Sequence, residues 1–142
     1  MIKIRLAASS DLAWLQERDA HIDPGELASI IRRGRILLAE NDNQIAGWLR
    51  WGMFWDEIPF MNMLFVDSAK RNQGIGGHLV QHWEEAMHHD GHTHVMTSTL
   101  ANESAQHFYR HIGYLDCGAL LLPDEPIEIL LRKNLPTPPR HP

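Results

Sequence analysis

The sequence is poor in cysteine, in long apolar runs and in positive charge. One cysteine in 142 residues excludes an internal disulfide and a Cys-x-x-Cys metal ribbon. No run approaches the ~18 apolar residues of a membrane span, and the first residues, Met-Ile-Lys-Ile-Arg, lack the apolar core of a signal peptide. With 13 Lys and Arg against 18 Asp and Glu, a clustered basic surface for nucleic acid is not expected. We therefore expect a cytoplasmic protein whose partners include neither a membrane nor nucleic acid.

What the sequence does contain is the composition of a folded protein, with 44% hydrophobic and 22% charged residues. Its length predicts one domain with a sizeable core, which we assign to residues 1–135. The Pro-rich remainder, 136–142, is predicted to be a flexible tail, because proline cannot continue a helix or a sheet.

Hydrophobic periodicity predicts the element order β-α-α-β-β-β-α-β-α-β-β, which indicates an α/β protein with a mixed sheet and helices on its faces. Ser9 or Ser10 is predicted to cap the first helix and Asn102 the last. The strand 60–66 is almost entirely apolar, which is typical of a central strand buried on both faces. The predicted strands cover 2–6, 35–40, 44–52, 60–66, 94–100, 114–122 and 127–132, and the helices cover about 12–20, 26–33, 74–89 and 102–111.

A glycine-rich loop joins the strand 60–66 to the following helix. Glycines allow the backbone to turn tightly and to approach a ligand closely, and the free amides of the helix's first turn attract anions. Lys70 and Arg71 add positive charge that can meet phosphate oxygens. The residues therefore predict a cradle for the phosphates of a cofactor.

Three known phosphate loops can be compared with this one. A Walker loop requires Gly-Lys-Ser/Thr, which is absent, and a dinucleotide fingerprint requires a glycine where Leu79 stands. Arg71-Asn72-Gln73-Gly74-Ile75-Gly76 instead matches Arg/Gln-x-x-Gly-x-Gly/Ala, the coenzyme A pyrophosphate loop of the Gcn5-related N-acetyltransferases (GNATs). The segment Asn102 to Tyr114 also resembles that family's second signature, Asn-x-x-Ala-x-x-Phe-Tyr-x-x-x-Gly-Phe/Tyr. The chain therefore resembles the GNAT family.

This resemblance implies a GNAT fold, with a mixed, mostly antiparallel central sheet of about six to seven strands flanked by about four helices. It implies transfer of acetyl from acetyl-CoA to a primary amine of a small molecule or a peptide, by direct attack in a ternary complex. A non-catalytic acyl-CoA-binding or regulatory module is the alternative. Dimerisation is common in the family, so a homodimer stays open.

The resemblance also implies site residues. Tyr109 matches the tyrosine that protonates the departing CoA thiolate, and a phenol with its ordinary pKa suits that task. Asn102 matches the asparagine that contacts the pantetheine arm, and Ser104 is also expected to bind the cofactor. The other cofactor-binding residues are the main chain of Leu64, Phe65 and Val66 for the pantetheine arm, and Arg71, Asn72, Gln73, Gly74, Ile75, Gly76 and Gly77 for the pyrophosphate.

The general base is where the sequence departs from many relatives, which have a glutamate on the central strand. Asn62 and Met63 occupy that place here, and neither side chain can take a proton. Glu57, preferred to its neighbour Asp56, is the predicted base, acting through water. An aromatic and acidic patch is predicted at the acceptor mouth, where it would favour a cationic amine; it consists of Trp51, Phe54, Trp55, Asp56, Glu57, Met61 and Met63.

Ten histidines are an unusual excess, and four of them fall between His88 and His94. His78 and His82 have the spacing of a zinc motif, but Leu79 stands where such a motif has its glutamate. We therefore expect no metal site. Cys117, in an apolar strand, is predicted to be an inert buried thiol.

Overall fold

The computed structural model describes residues 1–70 and 73–136 and contains seven strands and four helices. The strands are β1 (Ile2–Leu6), β2 (Ile36–Asn41), β3 (Gln44–Phe54), β4 (Ile58–Val66), β5 (His94–Leu100), β6 (Leu115–Leu120) and β7 (Glu128–Asn134). The helices are α1 (Leu12–Arg18), α2 (Pro24–Arg32), α3 (Ile75–His89) and α4 (Ala105–His111). Two 3₁₀ turns, Ser9–Asp11 and Ser68–Lys70, precede α1 and α3. Of the tail predicted at 136–142, all residues but Pro136 lie outside the described residues.

The strands form one sheet in the order β1-β2-β3-β4-β5-β7-β6. The pairs β1–β2, β2–β3, β5–β7 and β6–β7 are antiparallel. β4 and β5 run parallel, with Phe60 opposite Met96 and Met61 opposite Thr97. The predicted mixed, mostly antiparallel sheet with four helices is therefore confirmed.

The chain forms two compact units, and the first consists of Met1–Trp51 with Met63–His82. Its core lies between the two N-terminal helices and the sheet, and it is built from Ala7, Leu15, Leu27, Ile31, Ile36, Leu38 and Trp48. The spacing of Leu27 and Ile31 places both on the buried face of α2. The predicted amphipathic pattern of this helix therefore matches its packing.

A buried ion pair ties the end of α1 to β3 within this unit. Arg50 donates to both carboxylate oxygens of Asp19, at 2.9 and 3.3 Å. The side chains are 7% and 0% exposed, respectively. Asp19 also accepts a bond from the amide of His21, so the turn after α1 is fixed by one carboxylate.

The second unit consists of Gly52–Asn62 and the described residues from Trp83 onward. Val95, Thr97 and Thr99 of β5 are buried, as is Leu131 of β7. Tyr109 and Tyr114 pack edge to face with ring centroids 5.7 Å apart. These residues form the core of the second unit, and the catalytic candidate Tyr109 is one of them.

Three predicted helix starts are wrong. The residue before the first 3₁₀ turn is Ala8, and the carboxylate of Asp11 accepts its amide at 2.7 Å, so neither Ser9 nor Ser10 supplies a side-chain cap. The second helix, predicted from about residue 26, begins two residues earlier at Pro24, because Asp23 caps the amides of Gly25 and Glu26 and proline suits the first helical position. The residue that precedes α4 is Ser104, not the predicted Asn102.

Two predicted burials are also wrong. β4 is buried at Pro59 and Met61 but exposed at Asn62 and Phe65, so it is not a strand covered on both faces. Cys117 is exposed, because β6 is the last strand of the sheet.

Candidate functional site

The glycine loop begins where β4 ends and leads into α3. Gly74 has φ +76°, a conformation that favours glycine, and its carbonyl accepts the amide of His78 at 3.0 Å. A Cβ built on Gly77 would meet nothing within 4 Å, so the first turn of α3 is open at this point. Gln73 accepts a bond from Asn41 at 3.1 Å. Arg71 and Asn72 lie outside the described residues.

This loop fits a phosphate-bearing ligand. Its left-handed glycine lets the chain turn into α3, and the space beside Gly77 in the first turn of that helix is open. The fifteen residues of α3 add a favourable dipole for an anion.

The segment Leu64–Val66 is held close to β3. A Cβ on Gly47 would lie 2.6 Å from the carbonyl oxygen of Phe65, so glycine is required for the two backbones to approach this closely. The Phe65 ring stacks on Trp48 with a centroid separation of 4.5 Å. Sequence reasoning missed Gly47, although a lone glycine inside a strand pattern is the signal that could have found it.

Replacing Gly47 by Ala is expected to destabilise the protein by about 2 kcal/mol, since the new methyl must displace main chain rather than a side-chain tip. Urea denaturation measures the change. Gly52→Ala is the matched control on the same strand, because its Cβ meets only the side-chain amide of the exposed Asn62, at 3.1 Å. Equal losses in the two variants would contradict the proposed backbone contact.

Tyr109 lies on α4 and is only 6% exposed. Its ring packs edge to face with Phe108 at 5.4 Å and with Tyr114 at 5.7 Å. Burial raises the pKa of Tyr109 to about 12, opposed in part by a hydrogen bond with the Thr97 side chain. The phenol is therefore a weaker acid than its residue type predicts, and it stays protonated at neutral pH.

Thr97 lies on β5, in the stretch of that strand that pairs with β4. Its hydroxyl donates to the carbonyl of Met61 at 3.0 Å, and Met61 lies directly opposite it in the sheet. This bond holds the Thr97 side chain in one orientation.

A polar network orders Tyr114, whose ring packs against Tyr109. Tyr114 donates its hydroxyl to Glu84 at 2.8 Å, and Lys133 donates to the other oxygen of Glu84 at 2.8 Å. Burial, reinforced by the carboxylate, raises the pKa of Tyr114 well above its ordinary range. Sequence reasoning assigned no role to Glu84 or Lys133, since they are distant in the chain from Tyr114.

Asn102 and Ser104 are exposed in the turn before α4. The residue preceding the helix is Ser104, so the predicted cap at Asn102 is wrong. Gln106 instead reaches back and donates to the carbonyls of Ala101 and Glu103, at 2.7 and 2.8 Å. These bonds order the turn without involving the Asn102 side chain.

The predicted base and acceptor patch fall on the turn between β3 and β4. Asp56 and Glu57 are both exposed there, and the amide of Glu57 donates to Phe54 at 3.1 Å. Trp55 is 75% exposed and, like Asp56, has a positive φ. Trp51 and Met61 are buried and Met63 packs on the first unit's core, so the structure does not present the predicted patch as one surface.

Two aromatic rings of this patch, Phe54 and Trp55, form a continuous row with Phe60 of β4. Phe54 lies 4.7 Å from Trp55 and 5.8 Å from Phe60, measured between ring centroids. This row, with Asp56 and Glu57 beside it, is the part of the patch that a ligand could reach.

The histidine-rich segments form no metal centre in the residues that the structure describes, where no three His, Cys, Asp or Glu side chains are grouped to hold an ion. His78 instead contacts the Gly74 carbonyl through Nδ1 at 2.6 Å. Within the same residues, no helix has the length and apolar character needed to cross a membrane.

Solved acetyltransferases share this fold. A GNAT-family acetyltransferase from Bacillus cereus ATCC 10987 matches with a TM-score of 0.79 and 23% identity, over 96% of this chain and 99% of that one. The ribosomal-protein-S18-alanine N-acetyltransferase of Escherichia coli matches with a TM-score of 0.78 and 18% identity, over 98% and 97%. N-acetylglutamate synthase from Neisseria gonorrhoeae, in complex with coenzyme A and N-acetyl-glutamate, matches with a TM-score of 0.77 and 17% identity, over 96% and 36%.

Structural matches at such low identity show only a shared fold, so the family is assigned from sequence comparison. No curated protein sequence matches significantly. The family model of the acetyltransferase (GNAT) domain matches residues 32–115, more than half of the chain and the part that contains both the glycine loop and Tyr109. Since that match agrees with the seven-stranded fold, the chain belongs to the GNAT family of acetyltransferases.

Proposed function

We propose that this protein transfers the acetyl group of acetyl-CoA to a primary amine of a small molecule or a peptide. The observation that carries the proposal is the buried phenol of Tyr109, whose ring packs edge to face with Phe108 and Tyr114 and whose raised pKa keeps it protonated at neutral pH. A hydroxyl held in this way is suited to donate a hydrogen bond to a charge that develops during a reaction.

The glycine loop supports the choice of acetyl-CoA. Gln73 to Gly77, with Arg71 and Asn72, would hold the pyrophosphate, and the main chain of Leu64–Val66 would pair with the pantetheine arm. Bound acetyl-CoA supplies a thioester whose acyl carbon an amine can attack directly. Asn102 and Ser104, in the turn before α4, remain proposed contacts of the same ligand.

Tyr109 is proposed as the acid that protonates the departing CoA thiolate. With its pKa raised to about 12, the phenol holds its proton at neutral pH and gives it up only to a basic group. Glu57 is proposed as the base that accepts the proton of the amine through water. Its exposed position on the β3–β4 turn supports access to solvent.

The acceptor is proposed to be cationic. The exposed Trp55 ring offers an aromatic face, and the neighbouring carboxylates of Asp56 and Glu57 supply negative charge. An amine with a second positive group would be attracted by both.

Release of the CoA thiol, measured with a thiol reagent over a panel of polyamines, amino acids, peptides and neutral amines, tests this proposal. We expect acetyl-CoA-dependent turnover, with the highest kcat/KM for an acceptor of net positive charge. Replacing Trp55 by Ala should raise the KM of that acceptor about tenfold, whereas Trp14→Ala, in the first unit, should not.

Two results would count against it. Tight binding of acetyl-CoA without thiol release on any acceptor would favour the alternative, a non-catalytic acyl-CoA-binding module. A neutral amine as the best substrate would leave acetyl transfer standing but overturn the cationic acceptor.

A further inference from the structure

The hairpin between the neighbouring strands β3 and β4 carries a large aromatic side chain at its tip. Trp55 is 75% exposed, and it stands in a turn that the amide of Glu57 closes by donating to the carbonyl of Phe54 at 3.1 Å. Leaving an indole ring in water forgoes one of the larger apolar contributions to folding. One exposed ring is ordinary by itself, but the backbone and the surroundings of Trp55 distinguish this one.

The backbone of the turn is strained by the residues that form it. Trp55 and Asp56, its two central residues, have φ of +55° and +61°, the φ pattern of a type I′ turn. Such a turn strongly prefers Asn-Gly, because a bulky side chain is crowded in the left-handed conformation. A tryptophan there costs stability, and residues held at such a cost cluster where they serve a function.

The surroundings of Trp55 are aromatic and acidic. Its ring ends the row that it forms with Phe54 and Phe60, and the exposed Asp56 and Glu57 follow it in the turn. The segment 51–69 contains no Lys, Arg or His, so it has no positive side chain of its own to offset these carboxylates. A partner that fits this surface carries positive charge, which disfavours the phosphates of nucleic acid and of a membrane surface.

The tip is also too open to enclose a small ligand. Sites for small molecules are clefts that bury most of the ligand, whereas the exposed Trp55 ring has little protein around it. An exposed aromatic ring instead binds by entering a pocket of its partner, as the tryptophan anchors of protein interfaces do. The partner must therefore supply the pocket, and a protein can do so where a free small amine cannot.

The tip lies at a distance from the catalytic candidate. Tyr109 interacts with Thr97, which lies opposite Met61 of β4. Ile58, the first residue of β4, is about 10 Å from Met61 at the rise of an extended strand, and Trp55 lies beyond it in the turn. An acceptor that contacts Trp55 while its amine reaches an acetyl group near Tyr109 must extend over this distance or more.

We propose that the tip of this hairpin, Phe54–Glu57, is a docking site for a protein acceptor. Trp55 enters an apolar pocket of that protein, and the carboxylates of the turn face basic residues at the rim of the pocket. Docking here selects the protein by a surface that is separate from the amine to be acetylated. The proposal narrows the acetyl transfer proposed above to amines carried on a protein, and it rests on that function.

Transfer of radioactive acetyl from acetyl-CoA to a dialysed extract of the source organism tests the docking site. Dialysis removes free amines, so the acid-precipitated label measures protein acetylation alone. We expect the wild type to label protein above the enzyme-free background. Trp55→Ala should lower the rate of labelling about 30-fold at subsaturating extract, which is the effect of losing an interface anchor. Its loss on the best small cationic amine should stay at or below the roughly tenfold rise in KM given above.

Three further variants separate docking from folding and from charge. Leu121→Ala is the matched control, since it removes an 82% exposed apolar side chain just beyond β6 and should leave protein labelling unchanged. Trp55→Gly, whose residue type suits the left-handed backbone, should lose labelling as Trp55→Ala does. Asp56→Asn should lower labelling about threefold at low ionic strength, and high salt should abolish the difference. Circular dichroism verifies that each variant folds.

The outcomes distinguish this proposal from the function on which it rests. Thiol release with small amines, but no label in protein above background, would overturn the docking site and leave acetyl transfer standing. So would protein labelling that Trp55→Ala and Trp55→Gly leave unchanged, since the acceptor would then bind at another surface. Absence of both thiol release and protein label would contradict acetyl transfer itself, and the docking site with it.

Discussion

The Tyr109→Phe variant is expected to lose about 100-fold in kcat, the usual contribution of a positioned acid, while its KM for acetyl-CoA stays within about twofold. The substitution removes only the hydroxyl. The ring that packs against Phe108 and Tyr114 remains, so the core should persist. Steady-state kinetics of CoA release, with saturating acceptor, measure the effect.

The other tyrosine of the chain provides the matched control. Tyr114→Phe removes a hydroxyl that bonds to Glu84, so it should lower the free energy of unfolding by about 2 kcal/mol with a much smaller effect on kcat. If both variants lost kcat equally, or if Tyr109→Phe lost only stability, Tyr109 would be a packing residue.

The pH dependence of kcat tests the raised pKa of Tyr109 independently. Since burial raises the pKa of Tyr109 from 10.0 to about 12, its acid form persists through the range in which an ordinary tyrosine would ionise. The wild-type kcat should therefore show no decline attributable to this group below pH 10.0. A decline near pH 9 that is present in the wild type and absent from Tyr109→Phe, both still folded, would contradict the raised pKa.

Asp19→Ala is expected to cost about 3–5 kcal/mol in the free energy of unfolding, the largest stability loss that we predict. The change leaves the guanidinium of Arg50, only 7% exposed, without its two carboxylate bonds. Most of the cost arises because a buried charge has lost its partner. Urea denaturation with an unchanged m-value would measure it.

Glu17→Ala, two residues earlier in the last turn of α1, is the matched control. Its bond to Arg18 is 3.4 Å long and joins side chains that are 75% and 42% exposed, so its loss should cost less than about 0.5 kcal/mol. The double change Asp19→Leu and Arg50→Met should recover much of the stability, because it removes both charges together. A small loss in Asp19→Ala alone would show that water reaches Arg50.

The element order and the fold class were predictable because their signals are local. Amphipathic spacing, as at Leu27 and Ile31, lies within a few residues of chain. Caps were predicted less well, because a residue of capping type near a helix start does not fix the residue at which the helix begins. Asp11 precedes α1 and Ser104 precedes α4, rather than Ser9 or Ser10 and Asn102.

By itself the sequence determined the family, through a glycine loop and a tyrosine block whose residues are neighbours in the chain. Only the tertiary structure decided what surrounds them. Asp19 meets Arg50 across 31 positions and Glu84 meets Lys133 across 49, and such pairs leave no periodic trace in a sequence. The tertiary structure also decided that Cys117 is exposed on an edge strand, because the exposure of a strand depends on which strand pairs beside it. Burial and partner choice arise from packing between distant segments, so the raised pKa of Tyr109 could not be predicted from its residue type.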